Sequence, residues 1–490
     1  MSLTYIHGID GEICGILSTF AGGMLSSKKS DALLAKIREG MTMTGGEKLN
    51  LIVELSIPSM LAQITSVLMF FIDASMVGHL GAAASASIGL IETTTWLMGS
   101  VMSAMSAGFS VQVAHFIGAN DFFRARQVFR HALICGLLFS LFICSIGVAI
   151  HAPLPFWLGG GADIARDAST YFLIFSLTLP VVLLFHLMGS MLKSSGDMRI
   201  PSMLSIAMCV LDVAFNYLFI YVLHLGVMGA ALGTSAAYVC AVLPMAYVAL
   251  VKNKILALHL DHTRFVWVWD YVRNALKISL PIAMQSILMS GAQVVSTLIV
   301  APLGNAAIAA NSFAITAESL CYMPGYGIGD AATTLVGQTY GAGRRDLCSD
   351  FAHRTIALGM LVMAFMGVVM YAFAPEMIGF LSPVEEIRTL GTEVLRIEAF
   401  AEPFFAAAIV SYSVCVGAGD TLRPAVMNLL SMWCVRLTTA ALLAPRFGLR
   451  GVWIAMACEL TFRGCIFLIR IARGRWMKGL TAPSAVPSSL

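Results

Sequence analysis

Residues 51–90 form an apolar stretch long enough to cross a lipid bilayer, and it carries one carboxylate, Asp73, near its far end. Backbone hydrogen bonds in lipid are satisfied only in helices and closed barrels, and about 20 consecutive apolar residues make a spanning helix. A charged group in hydrocarbon costs roughly 2.5–3.5 kcal/mol on insertion scales. The stretch therefore predicts a transmembrane helix in which Asp73 is functional.

The same apolar character extends over the whole chain. Of its 490 residues, 58% are hydrophobic and only 12% are charged, which is far too apolar for a soluble domain. We predict an all-α polytopic membrane protein with twelve transmembrane helices. The predicted spans lie near residues 51–77, 87–115, 131–151, 168–192, 201–223, 229–251, 275–301, 306–337, 354–375, 392–416, 424–444 and 450–471.

The placement of Lys and Arg predicts the orientation. Of the 30 basic residues, 23 fall in the segments that are inside if the N-terminus is cytoplasmic, and 5 fall in the outer segments. This excess predicts that both termini are cytoplasmic. The net charge of +3 reflects this topology signal, so it indicates no nucleic-acid partner.

Cysteine usage and the N-terminal segment add two expectations. The 11 cysteines occur singly, without a CxxC pair, which indicates packing residues rather than a disulfide framework or a metal site. Residues 1–48 are polar and lack the pattern of a cleaved signal peptide. Within them, Asp31–Glu39 is either a short amphipathic helix on the inner surface or part of a disordered tail.

The chain contains an internal repeat. Ser-Ile-Pro at 56–58 matches Ser-Leu-Pro at 279–281, an offset of 223 residues. Further pairs at this offset are Leu80 with Leu303, Gly118 with Gly341, Pro180 with Pro403, Asp197 with Asp420, and Pro201 with Pro424. Each copy holds six spans, so both copies enter the membrane from the same side, as in parallel-repeat transporters. We predict two six-helix lobes separated by a V-shaped cleft.

The repeat divides the chain into five segments. Two lobes, 49–251 and 275–472, are joined by a polar and aromatic linker, 252–274, that we expect on the cytoplasmic surface. Cytoplasmic tails at 1–48 and 473–490 complete the chain.

Ordered motifs in both halves resemble those of the multidrug and toxic compound extrusion (MATE) transporters over roughly residues 45–475. They are SIP followed by IDASMVGHLGA, SLP followed by APLGNAAIAANS, the pair IGAND and YGAGR, and the pair GDMRIP and GDTLRP. The resemblance implies efflux of amphipathic, often cationic, compounds by alternating access, driven by a proton or sodium gradient. It also implies a monomer in membrane lipid, in the bacterial inner membrane.

Three polar residues are candidates for ion coupling. Asp73 aligns with Ser296 in the second half, so the acid is peculiar to one lobe; the alternative is an interfacial acid near the loop at Gly78. Asp212 and Asn216 are four apart and share a helix face, which is also compatible with a polar clasp between helices. Desolvation favours the protonated form of Asp73, so a proton and a cationic substrate would exclude each other there.

The proton-coupled MATE proteins have an Asp on the first helix and an Asn-x-x-x-Asp pair on the fifth. This chain resembles them with the pair reversed, as Asp212-x-x-x-Asn216, which moves the carboxylate by about 6 Å, one helical turn. The resemblance also implies that Tyr171 and Thr234 line the pocket and that Pro58 is a bending point of the first helix.

The sodium-coupled branch instead carries acids on its seventh and tenth helices, where this chain has Met289 and about Phe405. Glu398 and Glu402 of the tenth span, one turn apart on one face, keep a second-lobe ion site open. We expect H⁺ as the coupling ion, with Na⁺ as the alternative.

Other charges in the spans have two interpretations each. Glu92, Glu318 and Asp330 either face the cleft and attract cations or are bonded structurally. Glu459 and Arg463, spaced i, i+4, are expected to neutralise each other.

Two other functions compete with efflux. A lipid-linked sugar flippase of the wider superfamily is expected to have a basic cleft, yet only two of the Lys and Arg residues lie within spans. A membrane-embedded enzyme is disfavoured because HExxH, P-loop and GxSxG motifs are absent from the sequence. We therefore predict a secondary transporter without a cofactor.

Overall fold

The computed structural model describes residues 27–261 and 265–477, and the parts of the predicted tails and linker at 1–26, 262–264 and 478–490 lie outside the described residues. The described chain is helical. Its α-helices are α1 (Ser27–Arg38), α2 (Gly45–Gly78), α3 (Ala82–Gly118), α4 (Phe122–Ile150), α5 (Leu154–Trp157), α6 (Ala162–Ser194), α7 (Arg199–Tyr217), α8 (Gly226–Tyr247), α9 (Trp269–Val300), α10 (Asn305–Gly341), α11 (Arg345–Leu381), α12 (Glu385–Glu398), α13 (Glu402–Gly417), α14 (Leu422–Leu430) and α15 (Thr438–Ala472).

Nine described helical segments are long and apolar enough to cross a membrane, or ten if the bent pair α12 and α13 counts as one span. The number is lower than the twelve predicted spans for two reasons. The segment Leu422–Ala472 covers the last two spans in one helical run, although Gly448 inside it has a non-helical backbone (φ 59°). Helix α10 has the length of a span but is more polar, since it contains Glu318 and Asp330.

Each half of the chain builds its own apolar core. In the first half, Phe129, Leu187 and Met245 from α4, α6 and α8 belong to one buried cluster. In the second half, Met370 of α11 and Trp453 of α15 belong to another. The all-helical, two-lobe architecture predicted from the repeat is confirmed.

The tenth predicted span is the largest departure between the two copies of the repeat. Helices α12 and α13 meet at 59° across the break between Glu398 and Glu402, whereas the matching helix α6 is continuous through Pro180. Pro403 stands in the first turn of α13, where its missing N–H costs nothing and its fixed φ suits a helix start. The prediction that Glu398 and Glu402 share one face of a single helix is therefore wrong.

The lobes touch at the end of the molecule that holds α1, called here the α1 end. His115 Nε2 lies 2.8 Å from the carbonyl oxygen of Gly417, and Gln338 donates to the carbonyl of Ser194 at 2.8 Å. A Cβ on Gly118 would overlap the Gln338 backbone, so glycine permits this close approach. Within the described residues, the hydrogen bonds that join the lobes use the halves of α2, α3, α9 and α10 nearest to α1.

The N-terminal helix and the linker both pack on the lobes at this end. The sequence left open a helix or a disordered tail at 31–39, and the structure has the helix α1 there. The described part of the linker lies against α4, where Arg126 donates to the carbonyl of Ile255 at 3.1 Å and Arg130 to that of Asp261 at 2.9 Å.

Candidate functional site

Helices α2 and α7 bring the three predicted coupling residues together. Asn216 Nδ2 donates to Asp73 Oδ1 at 3.0 Å and to Asp212 Oδ2 at 3.2 Å. Asp73 and Asp212 also interact electrostatically with each other. Asp212 is completely buried, while Asp73 is only partly buried. The result is one cluster of two carboxyl groups and an amide, assembled from residues 143 positions apart in the chain.

The cluster lacks a compensating positive charge in the described part of the chain. Asn216 donates the hydrogen bonds that the two carboxyl groups accept, and the ion pairs of the described residues do not involve Asp73 or Asp212. Two ionised carboxylates at this separation repel each other strongly in apolar surroundings. A proton on one carboxyl group relieves this repulsion, so the arrangement suits a site that can hold a proton.

Helix α8 closes over the cluster because Gly233 faces Asn216. A Cβ at Gly233 would overlap Asn216 Oδ1 and lie 2.9 Å from the backbone nitrogen of Asn216. Next to Asn216, the π-helical turn Leu218–Val222 continues α7, and such turns are frequent at functional sites. Tyr221 of this turn donates to the carbonyl of Met76 at 2.8 Å, which ties α7 to α2 one turn beyond Asp73.

A narrow pocket lies between α6 and α8 beside the cluster. It is lined by three aromatic rings, three hydroxyl-bearing or small polar side chains and two aliphatic groups: Tyr171, Phe175, Tyr238, Thr178, Thr234, Ser235, Val182 and Ala231. Tyr171 and Thr234 thus both line the pocket, and Thr234 interacts electrostatically with Asp212. Aromatic faces next to a carboxyl group suit an organic cation.

Sequence reasoning missed several residues of this site. Thr178 and Ser235 share a hydrogen bond of 2.7 Å across the pocket, and Tyr238 adds a ring one turn beyond Thr234. Gly233 also belongs to this site, because it faces Asn216. The available signal was periodicity, because Tyr238 lies four residues after Thr234 and therefore on the same face of α8.

A second group of acids is buried in the C-terminal lobe, around the break between α12 and α13. Glu398 and Glu402 are fully buried, and none of their four carboxyl oxygens has a hydrogen-bond partner in the described structure. Glu318 of α10 is only 2% exposed and interacts electrostatically with both. The guanidinium of Arg436 is close enough to act on Glu318 and Glu398 through its charge.

The pair predicted from i, i+4 spacing on the last helix is confirmed. Arg463 donates to both carboxyl oxygens of Glu459, at 2.7 and 2.8 Å, and both side chains are buried. The hydroxyl of Ser431 also donates to Glu459. This bidentate, charge-assisted contact neutralises the pair.

The two other candidate cleft acids differ in their surroundings. Asp330 accepts hydrogen bonds from Ser59 at 2.6 Å and from Lys193 at 2.7 Å, so of its two interpretations the structure has the bonded one, with partners in the other lobe. Glu92 is exposed on α3, one turn before Trp96. Pro58 is buried within the uninterrupted helix α2.

Two helical lobes, an internal repeat and buried acids beside a pocket in one lobe are the arrangement of a membrane transporter. The sequence profile described as MatE matches residues 58–218 and 281–442, more than half of the chain. These segments begin 223 residues apart, at the offset of the internal repeat. The chain belongs to the MatE family, as its motifs predicted. Members of this family are transporters, so the chain is a transporter and not an enzyme.

Individual relatives agree with this assignment. The chain is 23% identical over 436 residues to the probable multidrug resistance protein NorM of Thermotoga maritima, covering 87% of this chain and 93% of that protein. It is 25% identical to multidrug and toxin extrusion protein 1 of Mus musculus, covering 88% and 76%. A solved multidrug resistance MATE family transporter in an outward-facing conformation has the same fold, with a TM-score of 0.83 at 21% identity and coverage of 87% and 96%.

Proposed function

We propose that this protein exports amphipathic organic cations in exchange for protons, by alternating access of the cleft between its lobes. The single observation that carries the proposal is the cluster of Asp73, Asp212 and Asn216 beside an aromatic pocket. The proposed direction, out of the cytoplasm across a bacterial inner membrane, is supported by the resemblance to multidrug exporters, and the distribution of basic residues supports cytoplasmic termini.

The chemistry of the cluster supports proton exchange. Two carboxyl groups without a basic partner favour binding of a proton in apolar surroundings, because the fully ionised pair carries two negative charges that repel each other. A cationic substrate in the adjacent pocket stabilises the fully ionised pair instead. Each ligand therefore weakens the binding of the other, and this reciprocal linkage is what an antiporter requires.

The amide of Asn216 has a positioning role in this scheme. It donates one proton to each carboxyl group and thereby holds both oxygens in a fixed relation to each other. Because Asp212 is buried and Asp73 is partly exposed, we assign Asp73 to proton exchange with the open side. Asp212 supplies the second carboxyl group of the site, on its fully buried side.

Sodium coupling at the second-lobe acids is the competing proposal. The four unpartnered carboxyl oxygens of Glu398 and Glu402, next to Glu318, favour it. Arg436 opposes it, because a guanidinium that already interacts with this group competes with an added cation.

Transport in proteoliposomes under one gradient at a time tests the proposal. A pH gradient alone should drive movement of a fluorescent cation such as ethidium, and a sodium gradient alone should not. Asp73→Asn should abolish the proton-driven flux. Asp167→Asn, which changes an exposed acid of α6 in the same lobe, is the matched control and should transport normally. Full proton-driven flux through Asp73→Asn would contradict the proposal.

A further inference from the structure

The N-terminal helix α1 contacts both lobes at the α1 end. Its apolar side chains Leu33, Leu34 and Ile37 are 6%, 1% and 0% exposed. They belong to one buried cluster with residues of both halves of the chain. Its members from the N-terminal lobe are Leu51, Ile52, Leu55 and Met198, and those from the C-terminal lobe are Ala331, Leu335, Leu347 and Phe351.

Leu34 packs closely against the turn between α6 and α7. Gly196 in the turn between α6 and α7 has a φ of +96°, and a Cβ there would overlap Leu34 Cδ1. The same Cβ would lie 3.8 Å from Gln338 Nε2 of the opposite lobe. Leu34 therefore sits where the α6–α7 turn meets α10, directly beside the interlobe hydrogen bond from Gln338 to Ser194.

Polar contacts fix the end of α1 to each lobe separately. Lys36 pairs with Glu47 of α2 at 2.5 Å, and Asn120 donates to the carbonyl of Arg38 at 3.4 Å. From the C-terminal lobe, Arg344 donates to the carbonyls of Lys36 and Met41 at 3.3 and 2.7 Å. A guanidinium at the last carbonyls of a helix satisfies groups that have no partner within the helix.

We propose that α1 is a latch: it holds the lobes together at the α1 end and must leave at least one lobe before the cleft can open there. The lobes cannot separate at this end while Leu34 stays between the α6–α7 turn and α10. The segment thus biases the protein toward the state closed at the α1 end. This inference rests on the alternating opening in the proposed function but not on the coupling ion.

Hydrogen–deuterium exchange of the purified full-length protein tests the latch without any transport measurement. Leu34→Asp places a carboxylate in the apolar contact, so α1 should detach. Backbone amides of 331–339 in α10 and of 195–198 should then exchange at least about tenfold faster than in the wild type, because the local opening that exposes them is stabilised. Ala32→Asp adds the same charge to the exposed side of α1 and should leave both segments unchanged.

A second variant guards against failure of Leu34→Asp to fold. Arg344→Gln removes the guanidinium that donates to the carbonyls of Lys36 and Met41, and it leaves the apolar contact of Leu34 intact. Amide exchange in the same segments should therefore rise to a smaller degree. If exchange rises only within α1 itself while 331–339 and 195–198 stay protected, α1 merely covers the surface and the latch is refuted. If the wild type shows no proton-driven export, the proposed function fails, but the exchange result still decides the latch.

Discussion

Gly233 gives the sharpest test of the site, because its missing side chain is what allows Asn216 to reach both carboxyl groups. Gly233→Ala places a methyl group onto Asn216 Oδ1, 2.9 Å from the Asn216 nitrogen and 3.0 Å from its Cγ. The backbone nitrogen cannot yield without distorting α7. The amide group must therefore rotate away, and its hydrogen bonds to Asp73 and Asp212 are lost.

The size of the effect follows from these contacts. Overpacking by one methyl group costs about 1–3 kcal/mol, and a hydrogen bond to a charged group contributes about 1.5–3 kcal/mol. Loss of even one such bond changes the balance between the proton and cation states by about tenfold, since 1.4 kcal/mol is a factor of ten. We expect proton-driven cation flux in proteoliposomes to fall at least about tenfold.

The control for this prediction is Gly99→Ala on α3, where an added Cβ meets no atom within 4 Å. In a helix this change should be neutral or stabilising, since Gly is about 0.8–1.0 kcal/mol less favourable than Ala. The assay compares initial rates of flux for both variants at matched protein content. Wild-type flux through Gly233→Ala would refute the role given to Asn216.

Three further predictions concern stability, measured as thermal unfolding of the purified protein. Glu459→Gln should lower stability by about 3–5 kcal/mol, because it leaves the buried Arg463 without a partner, and replacing both residues by Leu should recover most of the loss. Burial raises the pKa of Asp197, so the folded state loses stability as pH rises through that pKa; Asp197→Asn should be more stable than the wild type at about pH 8 and equal to it below about pH 4. Its repeat counterpart Asp420 is paired with Arg470, so Asp420→Asn should instead destabilise at neutral pH, and equal behaviour of the two variants would contradict this reasoning.

The two lobes differ in how their buried acids are paired. This difference distinguishes candidate coupling acids from acids with a structural role. The first-lobe carboxyl groups share the amide of Asn216 and lie beside a pocket, whereas in the last helix of the second lobe Glu459 is neutralised by Arg463. Between these extremes lie Glu398 and Glu402, which are buried without hydrogen-bond partners at the only bend of this kind among the described spans. Gradient-specific transport of the variants Glu398→Gln and Glu402→Gln will show which lobe couples.

Composition and the repeat were enough to predict the helical class and the two lobes, and the resemblance of the ordered motifs to those of MATE transporters predicted the family. Spacing predicted the Glu459–Arg463 pair, because i, i+4 neighbours on one helix meet whatever surrounds them. It placed Asp212 and Asn216 on one face for the same reason. Such predictions depend on the spacing of side chains along one helix and on the hydrophobicity of each segment. Both can be read from the order of residues alone.

Contacts between distant segments were decided only by the tertiary structure. The hydrogen bond from Asn216 to Asp73 and the wedge of Leu34 between two lobes depend on how closely helices approach, which is set by single glycines such as Gly233 and Gly196. The break between Glu398 and Glu402 likewise separates two acids that regular spacing had joined. Periodicity describes one helix at a time, whereas the packing of one helix against another depends on the shapes of both surfaces, and these come together only in the folded chain.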